Sequence, residues 1–155
     1  MMHLRWTSFE ELPLHQLYEL LAFRQRVFIV EQASPYMDLD GKDAACWHLL
    51  VRDRPGGALI GCARACGPVG AEPAFLGRIV VAPEARGTGL GRRLVTEGLR
   101  WLSIHHPRQD VRLSAQIHLE DFYGDFGFVR EGDPYSDGGI PHVTMWRRTG
   151  QALAA

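Results

Sequence analysis

The chain has 155 residues, 46% of them hydrophobic, and 17 Lys and Arg stand against 18 Asp and Glu for a net charge of −1. That balance excludes intrinsic disorder, which needs low hydrophobicity and high net charge, and it argues against a general nucleic-acid binder, which carries a basic surplus. A domain of this size buries roughly 70% of the surface its unfolded chain exposes, so one domain is expected over residues 1–149, with a loosely held tail over 150–155.

No apolar run approaches the ~20 residues that span a bilayer. The start, Met1 to Trp6, lacks the charged-then-apolar pattern of a signal peptide. The cysteines, Cys46, Cys62 and Cys66, are odd in number and lack zinc-type spacing. They predict reduced thiols in a cytoplasmic protein, with Cys62 and Cys66 buried and inert at an apolar strand.

In chain order, Leu4 to Trp6 predicts a short strand. After Pro13, Leu14, Leu17, Tyr18, Leu21 and Phe28 recur at steps of three or four, predicting a helix with Arg24 and Arg26 on another face. The pattern breaks near Ala33-Ser34-Pro35. Residues 35–43 are acidic and turn-rich, but Asp38-Leu39-Asp40-Gly41 lacks the remaining ligands of a calcium loop. Trp47–Val51 and Ala58–Ala65 predict a hairpin around Arg54-Pro55-Gly56-Gly57. Phe75–Val81 predicts the next strand. Leu90, Leu94, Val95, Leu99 and Leu102 then mark an amphipathic helix, closing at His105-His106-Pro107, where imidazoles suit the C-terminal dipole. Val111, Leu113 and Ala115 alternate with Arg112, Ser114 and Gln116, the period of a half-buried strand. A short helix over 118–125 and strands over 126–129 and 140–146 complete a mixed α/β domain.

The stretch from Arg78 to Leu94 carries the chemistry. A strand runs into a turn with Gly87, Gly89 and Gly91 and then into a helix. Such glycines let the backbone approach a ligand and aim successive N–H groups one way. A helix N-terminus adds a dipole that favours anions, and Arg86, Arg92 and Arg93 supply charge suited to phosphate oxygens. A diphosphate site follows. It is not a Walker A loop, because Arg92-Arg93 follows Gly91 where Lys-Ser/Thr is needed. It is not the dinucleotide fingerprint either: its third glycine would fall at Arg92 or Leu94.

Arg86-x-x-Gly89-x-Gly91, after an apolar strand and before an amphipathic helix, resembles the acetyl-CoA loop of the GNAT (general N-acetyltransferase) superfamily. Phe122-Tyr123-Gly124-Asp125-Phe126-Gly127-Phe128 resembles its Tyr-x-x-x-Gly-Phe segment. Val27–Gln32, Pro35-Tyr36, Asp40-Gly41, Ala115-Gln116 with His118-Leu119, and Gly139-Ile140-Pro141-His142 together are similar to the ElaA-type branch over nearly the whole chain. One departure stands out: Asp137-Gly138 replaces the Glu-Asp common in that branch.

The resemblance implies a mostly antiparallel central sheet with splayed middle strands, flanked by helices. It implies acetyl-CoA as acyl donor and a primary amine as acceptor, with no metal, nucleic acid or membrane involved. The alternatives that stay open are a non-catalytic acyl-CoA binder, a transferase of longer acyl groups, and a homodimeric assembly. Ile79, Val80 and Val81 would pair with the pantetheine arm through their backbone. Arg86, Gly87, Thr88, Gly89, Leu90, Gly91 and Arg92 would hold the diphosphate, and Gln116 would stand near the thioester. Tyr123 would serve the departing sulfur as hydrogen-bond or proton donor. Glu31, His48, His118 and His142 are the candidates for the base, with a water relay as the alternative, and Glu31 and His142 lead through the branch-like contexts around them. Arg64 and Arg78 could bind an acceptor carboxylate, and His118 is placed with them at the acceptor site. The acidic segments around 38–43 and 133–137 would be left to meet a cationic amine.

Overall fold

A computed structural model describes residues 1–153. Eight strands form one sheet: β1 (His3–Ser8), β2 (Trp47–Arg52), β3 (Leu59–Cys66), β4 (Ala74–Val81), β5 (Val111–Gln116), β6 (Val129–Arg130), β7 (Tyr135–Asp137) and β8 (Ile140–Arg147). Their order is β1-β2-β3-β4-β5-β8-β6, with β7 also pairing β8. The strand pairs are antiparallel except β4–β5, which is parallel and joined only at Ala74 with Val111 and Phe75 with Arg112. Beyond Phe75 the two strands part, so the sheet splits in its middle, as the resemblance implies.

Alternation along the strands decides what each face buries. In β2 and β3, Leu50 and Cys62 pack with Leu20, Phe23 and Val27 on one face. Leu49, Val51 and Ala63 meet Leu90 and Leu94 on the other. The first face is covered by α1 (Leu14–Gln25), which continues as a wider π-helical turn over Arg26–Glu31. The second is covered by α2 (Leu90–His105), which buries Leu90, Leu94, Val95, Leu99 and Leu102 as its spacing predicts. Gly98 sits mid-helix because any Cβ there would overlap Leu76 of β4. A five-residue helix, α3 (Glu120–Gly124), follows β5.

Four expectations need correction. The period of α1 is right but its phase is not: Leu14 and Tyr18 are 85% and 79% exposed, while Leu20, Phe23, Arg24 and Val27 are buried. Arg24, expected on another face, shares the buried face with Leu20, Phe23 and Val27. The second concerns the cysteines. Cys46 and Cys66 form a disulfide, Cα atoms 4.5 Å apart, because the β2–β3 register pairs Trp47 with Ala65 and so sets the next residues opposite each other; Cys62 alone is a free, buried thiol. Third, Phe126 and Gly127 belong to a turn with Gly127 at φ 87°, and the strand begins only at Val129. Finally, the tail is tied as far as residue 152: Arg147 Nη2 donates to the carbonyls of Gln151 (3.1 Å) and Ala152 (3.0 Å). Residues 154 and 155 of that tail lie outside the described residues.

Among the described residues, no helix is long and apolar enough to cross a membrane.

Candidate active site

Where β4 and β5 part, a cleft of about 750 Å³ opens. One wall is β4 from Leu76 to Val81; the other is Leu113, Ser114 and Gln116 of β5 with Ile140 and His142 of β8. Clefts of this size, mostly apolar with a few converging polar groups, are the usual form of a small-molecule site.

A bulge shapes the β4 wall. Between the pairs Cys62–Val80 and Arg64–Gly77, β3 advances two residues and β4 three. Arg78 takes up the difference at φ 48°, a left-handed conformation that a non-glycine residue rarely adopts. The bulge aims its guanidinium at Asp38, with Nε 2.8 Å from Oδ1, and at Asp40, with Nη2 3.3 Å from Oδ2. Nε lies close to Asp38 but off the N–H direction, so that contact is an ion pair without a hydrogen bond.

Arg78 is the cleft-facing edge of a larger network. Arg24, 1% exposed, donates Nε to Asp38 (3.0 Å) and Nη1 to Asp43 (2.7 Å). Arg64 grips Asp40 with Nη1 (2.9 Å) and Nη2 (2.8 Å), and Nη1 also reaches Asp43 (3.0 Å). Burial works to raise the pKa of Asp40, but hydrogen bonds from Arg64 and the Lys42 backbone, with the charges of Arg64 and Arg78, hold it well below the usual carboxylate range. Asp43 is lowered the same way: burial opposes, and Arg24 and Arg64 prevail. Burial likewise opposes the charge on Arg24, yet Asp43 and Asp38 raise its pKa above the ordinary value. This overturns two expectations. Arg64 is buried and paired and does not line the cleft, so it is scaffold rather than a carboxylate anchor. Residues 38–43 are not left for a cationic amine, because the chain's own arginines consume Asp38, Asp40 and Asp43.

At one end of the cleft, β4 runs into the glycine turn. Gly87 and Gly89 sit at φ 76° and 84°, where glycine alone is unstrained. Among the described residues, no protein acceptor meets the backbone N–H groups of residues 87–92; the first helical bond is Arg93 N–H to the Gly89 carbonyl, 3.1 Å. Thr88 turns its hydroxyl inward to the Ala85 carbonyl (2.6 Å) and Leu90 is buried, so both present backbone only. The arginines differ from one another. Arg86 donates Nε to the Val81 carbonyl (3.2 Å) and pairs with Glu31 at 2.8 Å. Arg92 pairs with Asp125 (3.1 Å) and lies over the Phe126 ring, 4.9 Å from its centre. Glu31, expected as a base, is therefore engaged in holding Arg86. The Val81 carbonyl, expected to face a pantetheine arm, is held by Arg86.

Tyr123 projects from α3 into the cleft between Phe122 and Phe128, edge-on to both. Its hydroxyl has no protein partner among the described residues, and burial alone pushes its pKa up to about 12. Across the cleft, β8 sets His142 opposite Gln116 of β5. His142 Nδ1 is 2.7 Å from the Ile140 carbonyl. A carbonyl only accepts, so Nδ1 carries the proton and Nε2 of the neutral ring keeps its lone pair. Tyr135 of β7 stacks on this ring at 6.1 Å and 24°, and its hydroxyl contacts that of Ser114. His118 also lines the cleft. His48 does not: it is buried with Nε2 2.9 Å from the Asp43 carbonyl, and burial lowers its pKa.

The residues that sequence reasoning missed lie on the segment crossing the cleft. Gln32 accepts from Gln116 Nε2 at 3.1 Å. Ser34 Oγ donates to the Gly138 carbonyl at 2.6 Å. Tyr36 donates its hydroxyl to Asp38 at 3.0 Å and lies under Arg78. The signal for one of them was present: Asp137-Gly138 is where this chain departs from the branch pattern.

The acetyltransferase (GNAT) domain family matches residues 22–148. Protein ElaA of Escherichia coli (strain K12) is 38% identical over 143 residues, covering 92% of this chain and 94% of its own. Its crystal structure superposes with a TM-score of 0.88 at 36% identity, over 96% of this chain and 100% of that one. A UPF0039 protein of Synechocystis is 40% identical over 142 residues, 90% of this chain and 91% of its own. The crystal structure of an acyl-CoA N-acyltransferase from Pseudomonas aeruginosa matches with a TM-score of 0.88 and 37% identity, over 95% of this chain and 99% of that one.

Proposed function

The chain belongs to the acetyltransferase (GNAT) family, in its ElaA-type branch, and from that premise we propose that it transfers an acetyl group from acetyl-CoA to a primary amine by direct attack of the amine on the thioester. The observation that carries the reading is one cleft with two functional ends. Among the described residues, six backbone N–H groups without a protein acceptor stand at its mouth, and a buried tyrosine whose hydroxyl has no protein partner stands inside it. Such a row of amides at a helix start suits a diphosphate, and the glycines leave the approach open, because a Cβ on Gly87 or Gly89 would meet nothing within 4 Å. The parted edge of β4 suits a pantetheine arm laid along it as a strand would be.

Each side chain then has a distinct task. His142 Nε2 removes the proton that an alkylammonium acceptor, with a pKa near ~10, must lose before attack. Tyr123 donates a hydrogen bond to the sulfur as the carbon–sulfur bond breaks and charge develops there. Tyr135 holds the His142 ring, and Glu31 holds Arg86 beside the diphosphate loop. Gln116 and His118 complete the wall around the thioester, and Arg78 fixes the bulge.

The test is thiol release from acetyl-, butyryl- and octanoyl-CoA by the purified protein with a panel of amines. Amine-dependent release, fastest with acetyl-CoA, is the expected result. Tight acetyl-CoA binding with no release on any amine would make the protein an acyl-CoA binder instead. Faster release from octanoyl-CoA would make it a long-chain acyltransferase.

A further inference from the structure

The split sheet is bridged on the α1 side. The segment after the π-helical turn crosses from one wall to the other and is fastened to both. On the β4 side, Tyr36 lies under Arg78, and Asp38 pairs with it. On the far side, Gln32 holds Gln116 of β5, and Ser34 holds Gly138, in the turn between β7 and β8. These last two contacts join residues 84 and 104 positions apart, so they tie separate parts of the fold rather than neighbours in one loop.

The Ser34–Gly138 contact admits no side chain. Gly138 has φ 59°, and a Cβ built there would overlap Ser34 Oγ and press on Tyr36 Cβ at 3.1 Å. Any side chain at this position would hold the turn away from Ser34. Glycine lets the two strands of backbone meet, and Ser34, itself buried, closes the contact with a hydrogen bond. The crossing segment and the β7–β8 turn are thereby joined across the cleft. Ser34, Tyr36, Arg78, Asp137 and Ile140 line it. Arg78 is neutralised by Asp38 and Asp40, whereas the Asp137 carboxylate has no cationic partner among the described residues.

We infer that this latch closes the acceptor end of the cleft into a narrow ring and so selects the acceptor: a slender, unbranched alkyl diamine, one ammonium passing the ring to reach His142 and the other remaining near Asp137, in preference to α-branched amines and peptide N-termini. The inference rests on the transferase reading above. A branched α-carbon bears a substituent that a closed ring must exclude, whereas an open groove accepts it. Steric discrimination of this kind is worth about tenfold or more in kcat/KM.

The experiment compares kcat/KM for diaminobutane with that for an α-branched amine and a dipeptide amide, in the wild type, Ser34→Ala and Gly138→Ala. Acetyl-CoA affinity is measured on each protein as the control for folding. The wild type is expected to favour diaminobutane by about tenfold or more. Gly138→Ala forces the ring open and is expected to bring the ratio near one, mainly by raising turnover of the branched amines. Ser34→Ala removes one hydrogen bond without adding bulk and is expected to move the ratio the same way by a smaller factor, so the inference stays testable if Gly138→Ala does not fold. A wild-type ratio near one, or a Ser34→Ala ratio equal to the wild type's, would overturn the latch while leaving the transferase reading standing. Acetyl-CoA binding without thiol release on any of the three amines would overturn the transferase reading, and the latch with it.

Discussion

Replacing Tyr123 by Phe tests the chemistry directly, and the structure sets the size of the effect. The ring is packed between Phe122 and Phe128, but the hydroxyl has no hydrogen-bond partner among the described residues. Removing it leaves the packing intact, so the thermal midpoint should not move. Burial pushes the hydroxyl up to about 12, so it carries its proton at every workable pH. The thiol leaving group has a conjugate-acid pKa near ~8.5. Full proton transfer from such a tyrosine to the thiolate would be uphill by about 5 kcal/mol. The hydroxyl therefore acts as a hydrogen-bond donor to the charge developing on sulfur. A hydrogen bond to a charged group contributes about 2 kcal/mol, which corresponds to about 30-fold in kcat. Stopped-time thiol release at saturating acetyl-CoA and amine measures it, and titration of acetyl-CoA should give the same Kd for both proteins. A kcat within about threefold of wild type would remove Tyr123 from the mechanism. A loss beyond about 10³-fold would mean that the proton is transferred outright and that the hydrogen-bond account is wrong.

His142→Gln should lower kcat/KM near neutrality by about 10²-fold, and the deficit should shrink toward pH ~10, where the amine sheds its proton unaided; a deficit constant with pH would exclude a base at this position. Arg24→Met should destabilise by about 3 kcal/mol, the low end for a broken buried ion pair because Asp38 keeps Arg78 and Asp43 keeps Arg64. For a chain of this size that lowers Tm by about 6–12 °C, and urea unfolding with an unchanged slope would confirm it. Asp40 and Asp43 have depressed pKa values in the fold, so their contribution is complete above the ordinary carboxylate value near ~4 and is lost as pH falls through the depressed ones. Stability should therefore decline below about pH 4, and Asp40→Asn should flatten that decline.

What the sequence made legible was whatever is encoded within a few residues. The alternation of Val111, Leu113 and Ala115, the spacing of Leu90 to Leu102, and the glycine turn at 87–91 each state their structure locally, and each is found as read. What stayed hidden depends on partners far along the chain. The phase of α1 is set by Arg24, whose partners lie 14 and 19 residues away on an irregular segment; a hydrophobicity count puts any arginine outside. The Cys46–Cys66 bond follows from strand register, which the count and spacing of cysteines do not contain. The three-residue β7 is too short to show a period and exists because β8 offers it an edge. In the candidate site, motif placed Tyr123 and the glycine turn, and both are found at the cleft, whereas Glu31 reads as a base until Arg86 is seen beside it.

The near-zero net charge illustrates the same division. Three of the chain's arginines and three of its aspartates cancel inside one network, buried at Arg24, Arg64, Asp38 and Asp43 and reaching the surface at Arg78 and Asp40. That network gives the cleft no field for capturing a cation, but it fixes the segment that crosses the cleft. Buried ion pairs are weak sources of net stability and costly to break on one side, a combination suited to holding a loop in one position. With residues 32–38 so held, the turn at Gly138 can close against Ser34 only where no side chain intervenes. Glycine at that position thus permits the contact that ties the turn to the crossing segment, with Asp137 beside it lining the cleft.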